Sequence, residues 1–114
     1  MPPGTQALGE FEQMVLLAIL HVSAAKEGEA YGVPIVEEIE RRTGRTVSRA
    51  AVYVTLRRLE KRGLVTSWMS APTGERGGKA RRCVRVEPRG LDLLRESRRA
   101  MARMWDDLDL GVVR

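Results

Sequence analysis

The sequence predicts a mainly α-helical fold with a small β-hairpin, a winged helix-turn-helix followed by a C-terminal dimerisation helix. Three observations carry this. Three segments of helical apolar periodicity come first, the third with chemically marked ends. Two short β-branched runs then flank a glycine-rich loop, and an amphipathic segment closes the chain with apolar residues seven apart. The expected organisation is a flexible arm over 1–8, the winged domain over 9–87, the dimerisation helix over 88–110 and a tail over 111–114.

The arm is read from Met1 to Ala7, with two prolines, a glycine and no apolar period. A helix is expected to begin near Gly9 or Glu10, with Glu10 and Glu12 at the positive end of its dipole. Phe11, Met14, Val15, Ala18, Ile19 and Val22 form its inward stripe. Leu16, Leu17 and Leu20 make the opposite side apolar as well, which fits a helix sandwiched between its own domain and a second subunit. Ala24 to Ala30 reads as a loop broken at Gly28. A second helix starts around Tyr31-Gly32-Val33-Pro34, where proline is tolerated in the first turn, buries Ile35, Val36 and Ile39, and stops at Thr43-Gly44.

The third helix is predicted from Ser48 to Arg62. Ser48 is a good N-cap, Val47 and Val52 make a hydrophobic staple, and Gly63 sits where a left-handed residue ends a helix, with Leu64 folding back. With Val52, Leu56 and Leu59 inward, the outer face carries Ala50, Val54, Arg57 and Lys61, flanked by Tyr53 and Arg58. Strands are expected over Leu64–Ser70 and Arg82–Val86, joined by the glycine-rich basic loop Pro72 to Ala80. Pro88 then opens a last helix running to about Leu110. Its apolar residues are Leu91, Leu94, Met101, Trp105 and Leu108.

Charge points to the partner. From Arg41 to Arg89 there are fourteen Lys/Arg against three acids (Glu60, Glu75, Glu87), a local +11 that leaves −6 for the rest of a +5 chain. Such segregation implies a polyanion, here double-stranded DNA. The expected DNA-contacting residues are Ser48, Arg49, Ala50, Tyr53, Val54, Arg57, Arg58 and Lys61 on the helix, with Arg76, Lys79, Arg81 and Arg82 on the wing. The helix fits a major groove about 12 Å wide and meets base edges mostly with its N-terminal half. Arg49 suits a guanine and Val54 and Ala50 a thymine methyl, while Arg57, Arg58 and Lys61 suit phosphates. For any single arginine a solvated helix face explains the charge equally well, and Tyr53 also suits a plug in the helix-turn-helix. The wing suits a minor groove or the backbone. The competing reading is a protein-interaction module that keeps the fold and has only non-specific affinity for DNA.

Catalysis is not expected. Gly78-Lys79 is followed by Ala80, so the phosphate-loop pattern is absent. One histidine, His21, and one cysteine, Cys83, cannot furnish a zinc site, and no base accompanies Cys83; no metal or cofactor is expected. The single cysteine fits a reducing compartment. The longest apolar run, Met14 to Leu20, is too short to span a membrane and lacks the basic flank of a signal peptide. A cytoplasmic, nucleoid-associated location follows as an expectation.

The run Leu8-Gly9-Glu10-Phe11-Glu12-Gln13 on to Leu20, then Ala30-Tyr31-Gly32, then Ser48 with Val52-Tyr53, Leu56, Leu59 and Gly63-Leu64, resembles the PadR family of bacterial transcriptional regulators. Arg76-Gly77-Gly78-Lys79-Ala80-Arg81-Arg82, and Pro88 with Gly90, are similar to that family's wing and exit. The resemblance spans about Leu8 to Leu108 and matches the short branch, with a single C-terminal helix. It implies a homodimer, usually a repressor, acting on a pseudo-palindromic operator. Its interface would be the last helix against the partner's first: Leu16, Leu17, Leu20, Leu94, Met101, Trp105 and Leu108. It also implies a planar hydrophobic effector at that interface in some members, although Trp105, Met101 and Met104 themselves favour simple packing, as does Trp68 on the wing. Two departures stand out. Cys83-Val84 replaces a pair of aromatics in the second wing strand, and Glu87 replaces a stronger threonine cap.

Overall fold

A computed structural model describes residues 7–25, 29–70 and 80–112. The order is α1 (Glu10–Ala24), α2 (Gly32–Thr43), α3 (Arg49–Lys61), β1 (Val65–Met69), β2 (Arg82–Val86) and α4 (Pro88–Trp105), with a 3₁₀ turn at Leu110–Val112. β1 and β2 form an antiparallel hairpin in the register Val65↔Val86 to Met69↔Arg82. This is the expected winged helix-turn-helix, with one addition. Ala30 bridges to Val84, whose N–H donates to the Ala30 carbonyl at 2.9 Å, so the segment before α2 covers an edge of the hairpin. A single bridging residue carries no alternation for sequence reasoning to detect.

Each helix end has a chemical cause. Gly9 precedes α1, and its N–H donates to Glu12 Oε1 at 2.9 Å. α2 stops at Gly44, which takes φ +74°. Ser48 caps α3 by accepting from Ala51 N at 3.0 Å. At its other end Gly63, at φ +76°, turns the chain so that Leu64 N donates to Leu59 O at 2.9 Å. The turn between α2 and α3 is held by Glu40, whose carboxylate accepts from Val47 N at 2.8 Å.

The core joins Val15, Leu16, Ala18 and Ile19 of α1 to Ile35 and Ile39 of α2 and Val52, Leu56 and Leu59 of α3. Leu64, Val65, Val84 and Leu93 close it. Each valine, leucine or isoleucine among them, once buried, contributes about 1.5–3 kcal/mol. Phe11, Met14, Val22, Val36 and Val47 pack half-buried at its edge.

Three expectations are corrected. Leu16 is fully buried in its own domain and has no surface to give a partner. The reason is that α1 touches α2, α3, β2 and α4, so its inward arc is wider than one stripe. Leu8, placed in the arm by sequence, belongs to the core, and its carbonyl accepts from Gln13 Nε2. The last helix ends at Trp105 rather than near Leu110. Asp106 caps it and Asp107 takes φ +66°, because aspartates are unfavourable at the negative end of a helix dipole. Residues 1–6 and the wing loop 71–79, with Arg76 and Lys79, lie outside the described residues.

Candidate nucleic-acid interface

The inward stripe of α3 fixes what the helix shows outside. Val52, Leu56 and Leu59 are buried, together with Thr55. Arg49, Ala50, Tyr53, Val54, Arg57, Arg58 and Lys61 are therefore all exposed, beside the exposed cap Ser48. At 13 residues the helix is about 20 Å long, enough to lie along a major groove.

Pairing separates this face from the arginines of α2 and the hairpin that flank it. Arg41 and Arg42 both bind Glu38, Arg45 binds Glu10, Arg85 binds Glu87 and Arg95 binds Asp92. The half-buried Arg62 reaches Glu12 at 3.2 Å and ties the end of α3 to α1. Among the described residues, no ion pair or hydrogen bond holds the side chains of Arg49, Arg57, Arg58 or Lys61. Exposed pairs contribute little stability. Their effect here is to neutralise the flanks and leave four cations on α3 without a partner among the described residues.

Tyr53 is 44% exposed and leans over the start of α2, where a Cβ on Gly32 would stand 2.7 Å from its Cε1. It thus braces α3 against α2, the plug role open to it from sequence, while showing one edge to solvent. On the hairpin, Arg81 lies over the Tyr31 ring, 4.5 Å from its centroid. Arg82 Nη1 donates to Ser67 Oγ at 3.0 Å, and Ser67 Oγ donates to Glu60 Oε2 at 2.8 Å. A groove of 520 Å³ between α3 and the hairpin is lined by Tyr53, Leu56, Arg57, Glu60 and Arg82.

Tyr31, Ser67 and Glu60 did not stand out in the sequence, since each acts through a contact across elements. Trp68, expected to pack, is 40% exposed with Arg85 5.9 Å from its ring centroid. Glu87 makes no cap bond to α4, as its carboxylate binds Thr66 and Arg85 instead. The Thr66 hydroxyl, then Arg85, hold that carboxyl below its ordinary value. Cys83 is buried, and burial, then Glu29, pushes its thiol up, the opposite of an activated nucleophile. Among the described residues no three His, Cys, Asp or Glu side chains gather as a metal site, and no helix is long and apolar enough to cross a membrane.

The model of the transcriptional regulator PadR-like family matches residues 19–96. The chain belongs to that family. It is a DNA-binding regulator of transcription and not an enzyme. The PadR-like chain is 39% identical over 93 residues to Transcriptional regulator Rv3488 of Mycobacterium tuberculosis, covering 81% of itself and 80% of that relative. A PadR family transcriptional regulator from Eggerthella lenta shares 29% identity at a TM-score of 0.59, with 82% and 79% of the two chains covered. The fold alone is shared with a transcriptional regulator from Clostridium thermocellum, at a TM-score of 0.67, 20% identity and coverage of 90% and 89%.

Proposed function

We propose that this PadR-like chain is a homodimeric, sequence-specific repressor that reads the major groove with α3 and lays its hairpin against the minor groove or the backbone. The outer face of α3 carries the reading, its cations having no ion-pair partner among the described residues. Arg49, Arg57, Arg58 and Lys61 keep their charge beside the small or apolar Ala50 and Val54. Cations alone would bind any duplex; the apolar pair beside Arg49 gives the N-terminal half of the helix a surface that distinguishes bases.

The same reading assigns self-association to α1 and α4. Leu17 and Leu20 of α1 with Leu91, Leu94 and Met101 of α4 line a largely apolar groove of 660 Å³. A second copy covering it presents two α3 helices to one face of DNA, with half-sites about 34 Å apart. Occupancy of such an operator blocks transcription. A planar hydrophobic effector beside Trp105, which is 53% exposed, would act by changing that covering.

The test is binding to promoter fragments and to random duplex across a range of salt, with transcription from the same fragments. Affinity should fall steeply with salt, by a log–log slope of about 0.9 for each phosphate neutralised. Arg49→Ala should narrow the gap between operator and random DNA, whereas Lys61→Ala should weaken both alike. Flat salt dependence, or equal relative losses on both DNAs for both variants, rejects the reading.

A further inference from the structure

Of the three acids between Arg41 and Arg89, Glu60 stands on the recognition helix itself, next to Lys61 and one turn beyond Arg57. A carboxylate there repels phosphate, so its presence calls for a compensating role. The hydrogen bonds supply one. Ser67 has a single hydroxyl proton, which it gives to Glu60 Oε2 at 2.8 Å. Its oxygen is then left to accept, and Arg82 Nη1 donates to it at 3.0 Å. The direction Arg82 to Ser67 to Glu60 is therefore fixed by the number of protons available. It runs from the second wing strand, through the first, to the helix.

We infer that Ser67 and Glu60 are positioning residues that aim Arg82 into the groove between α3 and the hairpin, where with Arg57 it seats the phosphates of one DNA strand. This rests on the reading that α3 and the hairpin grip DNA together. Arg57 and Arg82 line that groove from opposite walls, beside the Tyr53 ring and the Glu60 carboxylate, so guanidinium donors face it from both sides. Ser67 engages one nitrogen of Arg82 and leaves the other N–H groups of the guanidinium for an anion. An arginine already held at the groove loses less side-chain freedom on binding than one that swings in solvent. Glu60 serves by holding the Ser67 hydroxyl, and its charge is partly met by that bond.

The experiment is a double-mutant cycle on operator affinity, with melting temperature as a control for folding. Ser67→Ala should weaken binding about three- to tenfold, the usual cost of one side chain left to be ordered, with the melting temperature unchanged. Ser67→Thr keeps the hydroxyl and should restore affinity. In the Arg82→Ala background, which should itself lower the salt slope by about 0.9, Ser67→Ala should add nothing. Glu60→Ala gives a sign test: loss of a negative charge beside DNA would by Coulomb attraction alone tighten binding, whereas the relay requires weaker binding. Additive losses in the cycle, or tighter binding by Glu60→Ala, overturn the relay and leave DNA binding by α3 standing. If Arg57→Ala and Arg82→Ala both leave affinity untouched, the groove does not meet DNA and the underlying reading falls with it.

Discussion

Gly32 and Gly90 are both closely approached, but by groups of different freedom. A Cβ on Gly90 would lie 2.7 Å from the Leu64 carbonyl oxygen and 2.9 Å from Val86 Cγ1. That carbonyl accepts from Glu87 N at 2.9 Å, and Leu64 N is bonded to Leu59, so the backbone there has nowhere to move. Overpacking of this kind costs about 1–3 kcal/mol, against about 1 kcal/mol gained from helix propensity. Gly90→Ala should therefore lower stability in urea unfolding. At Gly32 the obstacle is the end of the Tyr53 ring, which is half in solvent and can swing aside. Gly32→Ala should leave stability within about 1 kcal/mol and weaken DNA binding, because the displaced Tyr53 leaves its place on the face of α3. Equal stability losses for the two variants would contradict this distinction. Neither neighbour is legible in the sequence, where both glycines stand only near a helix start and within the stretches that resemble the family.

At the scale of elements, legibility follows how far an end is chemically marked. α3 could be bounded to within a residue because Ser48 and Gly63 act locally, and both do so in the structure. α4 could not, since Leu94, Met101 and Leu108 continue the helical period past the point where the backbone stops at Trp105. There the aspartates outweigh the pattern. Core and exposed faces were readable for α3, whereas Leu16 shows that a helix touched on several sides defeats a one-stripe reading. The cap offers a test at this scale. Ser48→Ala should cost about 1 kcal/mol in urea unfolding, while Ser48→Asp should retain the cap and the stability. Both should weaken DNA binding, the first by fraying the turn that holds Arg49, the second by placing a negative charge where phosphates approach. Ser48→Asp binding as well as the parent chain would place the first turn away from DNA.

The whole molecule is 58 Å in its longest dimension and 24 Å in its shortest. α4 buries only Gly90 and Leu93, near its start. Eight to twelve residues further on, about 12–18 Å along the helix, Met101, Met104 and Trp105 are all exposed, followed by Leu108 and Leu110. The apolar excess of α1 and α4 was legible in the sequence, and of the residues read as facing outward only Leu16 is buried, because its place depends on how α1 meets several elements at once. Leu17 decides the matter most cleanly: it is exposed, lines the groove with Leu20, Leu91 and Leu94, and takes no part in the core. Leu17→Glu should thus leave the fold intact by circular dichroism and convert the proposed dimer to a monomer in sedimentation equilibrium. Operator affinity should then drop about a hundredfold or more, because the second half-site is no longer bound at the high effective concentration that joining two heads provides. Binding to a single half-site should change little, as the face of α3 is untouched. A Leu17→Glu chain that stays dimeric would move the interface away from the α1–α4 groove. A chain that becomes monomeric but keeps full operator affinity would separate DNA reading from self-association.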